Sequence, residues 1–319
     1  MKVLVTGAGG FVGQALLPLL LEAGCAVRAA VRRQPLPMAG IDSVVVGDIG
    51  PATDWTAALA DVDAVVHLAA RVHVMRDAAG DPLAAYRATN TVGTLRLAEA
   101  AARAGVGRFV FLSTVKVNGE STPPDRPFVD GDPSAATDPY AISKAEAESG
   151  LLSLAQTTSL EPVVLRPPLV YGPGVGANFL RLLRLAERGL PLPLAAVSNR
   201  RSMIYVGNLA SAILAALRAP SLGGRVFLVA DGEDLSTPEL WRRLAAALGR
   251  PARLWPLPPM VLSILARLAG RRAEIERLTG SLAVDARGWR EASGWAPPYT
   301  VERGIARTVA WYRGAQARR

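Results

Sequence analysis

Residues 6–13, Thr-Gly-Ala-Gly-Gly-Phe-Val-Gly, limit what this chain can fold into more than any other stretch. They follow the apolar run Lys2–Val5, which reads as a strand, and lead into Gly13–Ala23, a Leu-rich helical segment stopped at Gly24. Glycines in that place permit a tight turn and close backbone approach, and the helix N-terminus is free to receive a pyrophosphate. Gly7, Gly10 and Gly13 are spaced G-x-x-G-x-x-G, whereas the G-x-G-x-x-G spacing fails because Val12 occupies its last position. Placement at residue 7, directly after a first strand, favours a dinucleotide site over an ordinary strand-to-helix turn.

Strand-like and helical runs alternate from there. Ala26–Val31, Ser43–Val46, Ala64–Leu68, Phe109–Ser113 and Val163–Leu165 read as strands. One helix opens at Asp81-Pro82, with Asp as N-cap and Pro at the first helical position, and runs to about Ala104; another covers Tyr140–Ala155. Continuously apolar strands separated by helices predict a parallel sheet covered on both faces. After Arg166 the pattern loosens, with Pro and Gly clustered at 167–176 and 191–193. Ile204–Val206, Asn208–Arg218 and Val226–Val229 read as one more strand-helix-strand passage returning to the sheet. Ser236-Thr237-Pro238-Glu239 is a capping box for a helix to Leu248. Leu257–Leu268 and Val301–Tyr312 complete a smaller, mainly helical part. The expected division is 1–166 with 203–230 as the dinucleotide domain, and 167–202 with 231–319 as the substrate domain.

Composition narrows the classes. In 319 residues, half hydrophobic and a fifth charged, there is ample material for a core, which excludes a disordered or fibrous chain. A single cysteine, Cys25, excludes a disulfide framework and a Cys-based metal site, and two histidines, His67 and His73, argue against a His-ligated metal. No metal is expected, and a reducing, cytoplasmic setting fits best. The N-terminus shows no secretion signal. The greasiest later segment, Leu257–Ala266, is far short of the roughly 20 apolar residues of a membrane span. It reads as an amphipathic helix of the smaller domain rather than a membrane contact.

Charge is divided unevenly. Residues 1–160 hold 13 bases and 16 acids, a net of −3, while 161–319 hold 23 bases and 11 acids, a net of +12, which together give +9. The excess lies in the half expected to bind substrate, and a small anionic substrate explains part of it. The arginines are not interleaved with an aromatic platform, so nucleic acid is not an expected partner.

Seven further motifs fall in a recognisable order: Gly47-Asp48-Ile49, His67-Leu68-Ala69-Ala70, Asn90-Thr91-Val92-Gly93-Thr94, Ser113-Thr114, Tyr140-Ala141-Ile142-Ser143-Lys144, Arg166-Pro167-Pro168-Leu169-Val170-Tyr171-Gly172-Pro173 and Arg201-Ser202-Met203-Ile204-Tyr205-Val206. Gly294-Trp295-Ala296-Pro297 also fits. With the glycine loop they resemble the extended short-chain dehydrogenase/reductase family, the NAD-dependent epimerases and dehydratases acting on nucleotide sugars, over nearly the whole chain. The resemblance implies an α/β, Rossmann-type doubly wound parallel sheet with a smaller, mainly helical substrate domain. It implies that Gly7, Gly10, Phe11, Val12 and Gly13 hold the dinucleotide, that Asp48 takes the adenine amino group, and that Ile49 packs on the adenine ring. Leu68, Ala69 and Ala70 would line the cofactor, with Asn90, Pro167, Tyr140 and Lys144 around it; His67 is then a packing residue at a strand end, and His73 a surface residue without a role.

NAD users in this family usually carry an acid at the end of the second strand. Here that position is Val31, followed by Arg32 and Arg33, which favours the 2′-phosphate of NADP over NAD.

Tyr140 and Lys144 are four apart and share a helix face. A Tyr beside an ammonium and an oxidised nicotinamide would ionise below its usual value of about 10 and move a proton as hydride transfers. The resemblance gives Thr114 the catalytic hydroxyl and Ser113 a supporting place. The 4,6-dehydratases of the family follow that hydroxyl with Asp-Glu, and this chain has Val115-Lys116, which argues against elimination. Asn118 stands where epimerases often have Tyr. On the substrate side the resemblance points to Asn178 and Arg201 at a nucleotide diphosphate, with Arg277 a weaker candidate.

The expected reaction is therefore hydride chemistry at a sugar C4: reduction of a UDP-4-keto-6-deoxy-N-acetylhexosamine in surface-polysaccharide synthesis, which the STVKVNGE, RPPLVYGPGVGANFL and NRRSMIYVGN stretches resemble most. The alternatives are a UDP-glucose or UDP-N-acetylglucosamine 4-epimerase and, remotely, a non-catalytic NADP sensor, a class that commonly loses the Tyr/Lys pair kept here. The expected partners are a UDP-sugar, NADP or NAD, and no membrane span; a homodimer is admitted as the assembly.

Overall fold

A computed structural model of the chain describes residues 1–72, 80–268, 270 and 272–317; His73 lies outside the described residues. The first half lays down six parallel strands: β1 (Lys2–Thr6), β2 (Ala26–Val31), β3 (Ile41–Val45), β4 (Ala64–His67), β5 (Arg108–Leu112) and β6 (Glu161–Arg166). Three short elements follow, β7 (Leu169–Tyr171), β8 (Met203–Tyr205) and β9 (Arg225–Leu228). The main sheet has seven strands in the order β3-β2-β1-β4-β5-β6-β9, all parallel. The order reverses direction between β1 and β4, and ligands of doubly wound sheets bind at the carboxyl ends of the strands beside such a switch.

The strands are apolar throughout because both faces are covered. Val3 and Val5 face one layer, with Leu16, Leu17 and Leu20 of α1 (Phe11–Glu22) and Ile213. Leu4, Val65, Phe109 and Phe111 face the other, with Leu97 and Ala98 on one side and Leu151 on another. Each such fully buried aliphatic side chain contributes roughly 1.5–3 kcal/mol. The second layer is formed by α2 (Thr56–Leu59), α3 (Pro82–Tyr86), α4 (Gly93–Arg103) and α5 (Pro139–Ala155).

Two expectations are corrected. The helix opening at Asp81 is not one continuous α-helix: α3 and α4 flank a π-helical turn over Arg87–Val92. Such turns widen the helix locally and occur often at functional sites, and this one carries Asn90 inward. The strand near 204 does not return to the main sheet. Met203–Tyr205 pairs instead with β7, in the register Leu169↔Met203 to Tyr171↔Tyr205, and only β9 returns, beside β6. The two-stranded ribbon lets the chain leave the sheet and carry the second half.

That second half contains α6 (Ala177–Glu187), α7 (Val206–Arg218), α8 (Thr237–Ala247), α9 (Pro259–Leu268), α10 (Arg272–Thr279), α11 (Arg287–Ser293) and α12 (Val301–Ala317). The capping box works as its spacing implies, with Ser236 Oγ accepting from the Glu239 amide at 3.2 Å. Tyr171, Phe179, Leu183, Trp241, Leu244 and Tyr312 form its main core. A smaller cluster joins Leu194 and Val197 to Leu262 of α9.

Candidate active site

The glycine loop is shaped by close approach. Gly7 has φ +67°, and a Cβ there would stand 2.7 Å from the Ala69 nitrogen; one on Gly13 would stand 2.3 Å from the Ala8 carbonyl oxygen. The loop is thereby held against the end of β4, where Leu68, Ala69 and Ala70 are half-buried. The Gly10 amide donates to the Gly7 carbonyl at 2.9 Å. Helix α1 opens at Gly10 with no side-chain cap and no acid in its first turn. Its free N–H groups and positive dipole end fit a dinucleotide pyrophosphate, which a capping carboxylate would repel. Phe11 and Val12 pack toward the second half, and Gly174 leaves room for the Phe11 ring.

Behind the loop runs a buried chain of hydrogen bonds. The Ala69 amide donates to Thr6 Oγ1 at 3.2 Å, and Thr6 Oγ1 meets His67 Nδ1 at 2.7 Å. His67 Nε2 meets Thr94 Oγ1 at 2.9 Å, and Thr94 in turn donates to the Asn90 carbonyl at 2.6 Å. That direction makes Nε2 the protonated nitrogen and Nδ1 the acceptor of the Thr6 hydroxyl proton. Burial, with the Lys144 charge nearby, pulls the imidazole down to about 3, so His67 is neutral and structural. Asn90 completes the frame: it accepts from the Arg71 amide at 2.8 Å and donates to the Arg71 carbonyl and Ser143 Oγ, each at 3.0 Å. Its side chain thus fastens the loop after β4 to α5.

Ile49, expected at the adenine ring, sits against Gly93, where a Cβ would come within 2.7 Å of its Cγ2. Arg32 and Arg33 are exposed just past β2, and Val31 is buried. Arg32 pairs with Asp48 across 3.4 Å, both well exposed. The described residues give Arg33 no ion pair.

Helix α5 carries the candidate reacting groups, Tyr140 and Lys144. Its N-cap is Asp138, whose carboxylate accepts from the Ala141 amide at 3.0 Å, and Pro139 follows at the first helical position. Tyr140 lies in the first turn, its ring edge-on to Tyr86 with centroids 6.2 Å apart. Burial first, then Asp138 and Tyr86, raises the phenol well above its ordinary value. Lys144, one turn on, is fully buried, with its ammonium 3.9 Å from the Phe111 ring centre. Burial pulls it down to about 7, against the opposing pull of Glu148. In the chain by itself burial outweighs the lowering expected from the lysine, which was expected together with the charge of an oxidised nicotinamide.

Ser113 and Thr114 follow directly on β5. Thr114 Oγ1 accepts from the Lys116 amide at 3.3 Å, capping a 3-10 turn over Val115–Val117, and the residue stays half-buried. The Ser113 hydroxyl is committed elsewhere, donating to Glu148. Glu148 is held in turn by Arg166, whose Nε lies 3.1 Å from both carboxylate oxygens and whose Nη1 reaches Asn118 Oδ1 at 3.1 Å. The spacing Tyr140, Lys144, Glu148 is a readable signal only that Glu148 shares their face, since i, i+4 and i+8 lie together; its partner Arg166 comes from a strand distant in sequence. Pro167, also buried, accepts from the Val115 amide at 2.9 Å and fixes the turn after Thr114. Where dehydratases have Asp-Glu, Val115 is buried and the Lys116 ammonium bridges Glu120 and Asp138, each at 2.8 Å.

Toward the second half the candidates separate. Arg201 is half-buried, and burial lowers its pKa; its Nη1 donates to the Arg277 and Gly280 carbonyls at 3.1 and 3.2 Å. Arg277 therefore meets Arg201 through its backbone, and its side chain is exposed. Asn178 is exposed in the first turn of α6, next to Ala177 with φ +48°, and Phe179 stacks on Tyr171 at 5.5 Å. Among the described residues no group of three His, Cys, Asp or Glu is placed to hold a metal ion, and no helix is long and apolar enough to cross a membrane.

Comparison with known proteins gives the same outline. Residues 3–230 match a family described as the NAD dependent epimerase/dehydratase family. A UDP-glucose 4-epimerase of Vibrio cholerae is 42% identical, the match covering 99% of this chain and 97% of that protein. A 2-alkyl-3-oxoalkanoate reductase of Stenotrophomonas maltophilia is 32% identical over 98% of this chain and 99% of its own. Among solved structures, the protein MoeE5 in complex with UDP-glucose and NAD superposes with a TM-score of 0.78 at 26% identity, covering 99% and 100% of the two chains.

Proposed function

The chain belongs to the NAD-dependent epimerase/dehydratase family, and from that premise we propose that it reduces a UDP-4-keto-6-deoxy-N-acetylhexosamine at C4, with NADPH as reductant. The observation that carries the reading is the α5 face: Tyr140, Lys144 and Glu148 in register, opposite the strand end that presents Thr114. When bound, the dinucleotide supplies the hydride for C4 and, once oxidised, a positive charge.

The chain's own residues do the rest. Thr114 donates a hydrogen bond to the C4 oxygen and holds it toward Tyr140. The Tyr140 phenol, kept protonated by burial, gives its proton to that oxygen as C4 becomes a carbinol. Lys144, poised near neutrality, stabilises the phenolate that remains. Ser113, through Glu148, positions the strand end rather than touching the reacting atoms. Arg201, whose Nε and Nη2 make no hydrogen bond among the described residues, takes the diphosphate in residues 167–202 and 231–319, which form the substrate-binding part; Asn178 joins it, and Arg277 contributes the carbonyl that orients Arg201.

Elimination is rejected because Val115 and the paired Lys116 replace the required acid and base. The preference for NADP rests on Arg32 and Arg33: a surface ion pair such as Arg32–Asp48 is worth only about 0–1 kcal/mol, so Arg32 is readily redirected to a 2′-phosphate. A second reading, UDP-sugar 4-epimerase, is favoured by the Vibrio cholerae relative's name. In either case a UDP-sugar is the partner.

Two incubations separate the readings. NADPH consumed mole for mole with the 4-keto sugar supports the reductase. Inversion of UDP-N-acetylglucosamine at C4, with no net cofactor turnover, replaces it by the epimerase. Tyr140→Phe should abolish turnover while cofactor affinity stays within about twofold; full activity in that variant refutes the mechanism.

A further inference from the structure

The geometry points to an anionic lipid bilayer surface as the docking partner of the face formed by residues 253–255 and helix α9. The observation is an inside-out distribution of side chains. On α9, Leu262 is only 5% exposed and packs into the small cluster with Leu194 and Val197. Met260 and Ile264, four apart and half a turn away from Leu262, are 76% and 50% exposed. Arg267 lies three residues beyond Ile264 on the same side and is exposed. The outward stripe of this helix is therefore apolar with a basic end.

The preceding extended segment continues it. The Trp255 amide donates to the Leu192 carbonyl at 2.9 Å, the Leu192 amide donates to the Arg253 carbonyl at 3.0 Å, and the Ala195 amide donates to the Trp255 carbonyl at 2.9 Å. Alternation along that segment turns Leu254 inward, beside the cluster that Leu262 enters, and turns Arg253 and Trp255 outward together. Trp255 is 65% exposed. Trp255 and Met260 thus stand on the outside of one small core, with Arg250 and Arg253 exposed on the approach to them.

Charge identifies the occupant. Between Glu239 and Glu274 the sequence contains seven arginines and no carboxylate. Arg242 and Arg243 are answered by Glu239 and Glu233. Arg250, Arg253 and Arg267 have no ion pair among the described residues. A folded surface normally intersperses both signs, and a protein partner of mixed charge would leave this run partly unmatched. A sheet of lipid phosphates matches Arg250, Arg253 and Arg267, the described arginines of this run left without a carboxylate partner. An exposed Trp with Met and Ile beside arginines is the composition of an interfacial helix, which lies in the headgroup region without spanning it. The segment also leads through α10 to the Arg277 and Gly280 carbonyls that hold Arg201, so docking would set the substrate side at the membrane.

The test is co-sedimentation of the full chain with phosphatidylcholine vesicles, with and without phosphatidylglycerol, at low and high salt. Binding is expected only with phosphatidylglycerol and should weaken with salt. Met260→Glu/Ile264→Glu should lower vesicle affinity by about tenfold or more, with near-UV circular dichroism and the melting transition unchanged. Arg253→Gln/Arg267→Gln should lower it less and flatten the salt dependence. No sedimentation with anionic vesicles, or sedimentation insensitive to both double variants, overturns the proposal. A parent dimer that becomes monomeric on Met260→Glu/Ile264→Glu, without vesicle binding, overturns it in favour of a self-association face.

Discussion

Lys144 carries the sharpest conflict between a residue's ordinary chemistry and its place. It is one of three lysines in the chain and is fully buried, with its pKa pulled to about 7 mainly by desolvation. In the unfolded chain the group titrates near 10.5, so between about 7 and 10.5 the unfolded state binds the extra proton. Stability from this group is thus complete above the unfolded value and is lost as pH falls through 7. The melting temperature of the parent should rise relative to that of Lys144→Met from pH 7 to 10, measured by thermal scans across that range; a constant offset contradicts the assignment. The neighbouring pair gives a second expectation. Arg166→Met leaves Glu148 buried without its partner and should cost about 3–5 kcal/mol in denaturant unfolding, and Glu148→Gln in that background should recover part of it. Tyr140 and Lys144 are legible from spacing alone, because one helix turn fixes their relation. The Glu148–Arg166–Asn118 cluster is not, because it is assembled from a helix, a strand and a turn that are distant along the chain.

At the scale of elements, the glycine loop and the π-helical turn do complementary work. The loop brings backbone to β4 at distances only glycine allows, and Gly13→Ala should overpack it by about 1–3 kcal/mol and weaken dinucleotide binding more than tenfold, as read by calorimetric titration. The loop was legible because a strand, three glycines and a helix leave few alternatives. The π-helical turn was not, because the one extra residue it accommodates leaves the apolar period almost unchanged. Its consequence is the inward Asn90, which spends its amide on Arg71 and Ser143. The second ribbon was misplaced for a related reason: Ile204–Val206 has the composition of a sheet strand, and only three-dimensional pairing shows that β7 takes it. At the end of β2, Arg32→Ala/Arg33→Ala should raise KM for NADPH about tenfold and leave that for NADH unchanged, in steady-state assays.

Across the whole molecule the sequence reads as two unequal halves, and the structure gives each a physical purpose. The slightly acidic first half holds five of the seven strands of the main sheet and the helices that cover them, and its continuously apolar runs made that architecture legible. The basic second half was harder to read, since its small cores are built from short helices and loops rather than a periodic scaffold. Its charge is differently placed from one arginine to the next: Arg201 is held by the Arg277 and Gly280 carbonyls, while Arg250, Arg253 and Arg267 stand around exposed apolar side chains. The central claim remains the chemistry between Thr114 and Tyr140. It is tested most directly by supplying NADPH deuterated at the transferable nicotinamide position together with a UDP-4-keto-6-deoxy-N-acetylhexosamine. The account predicts a product carrying one deuterium at sugar C4 for each NADPH oxidised. A product without deuterium, or none formed while UDP-N-acetylglucosamine is inverted at C4, would contradict it.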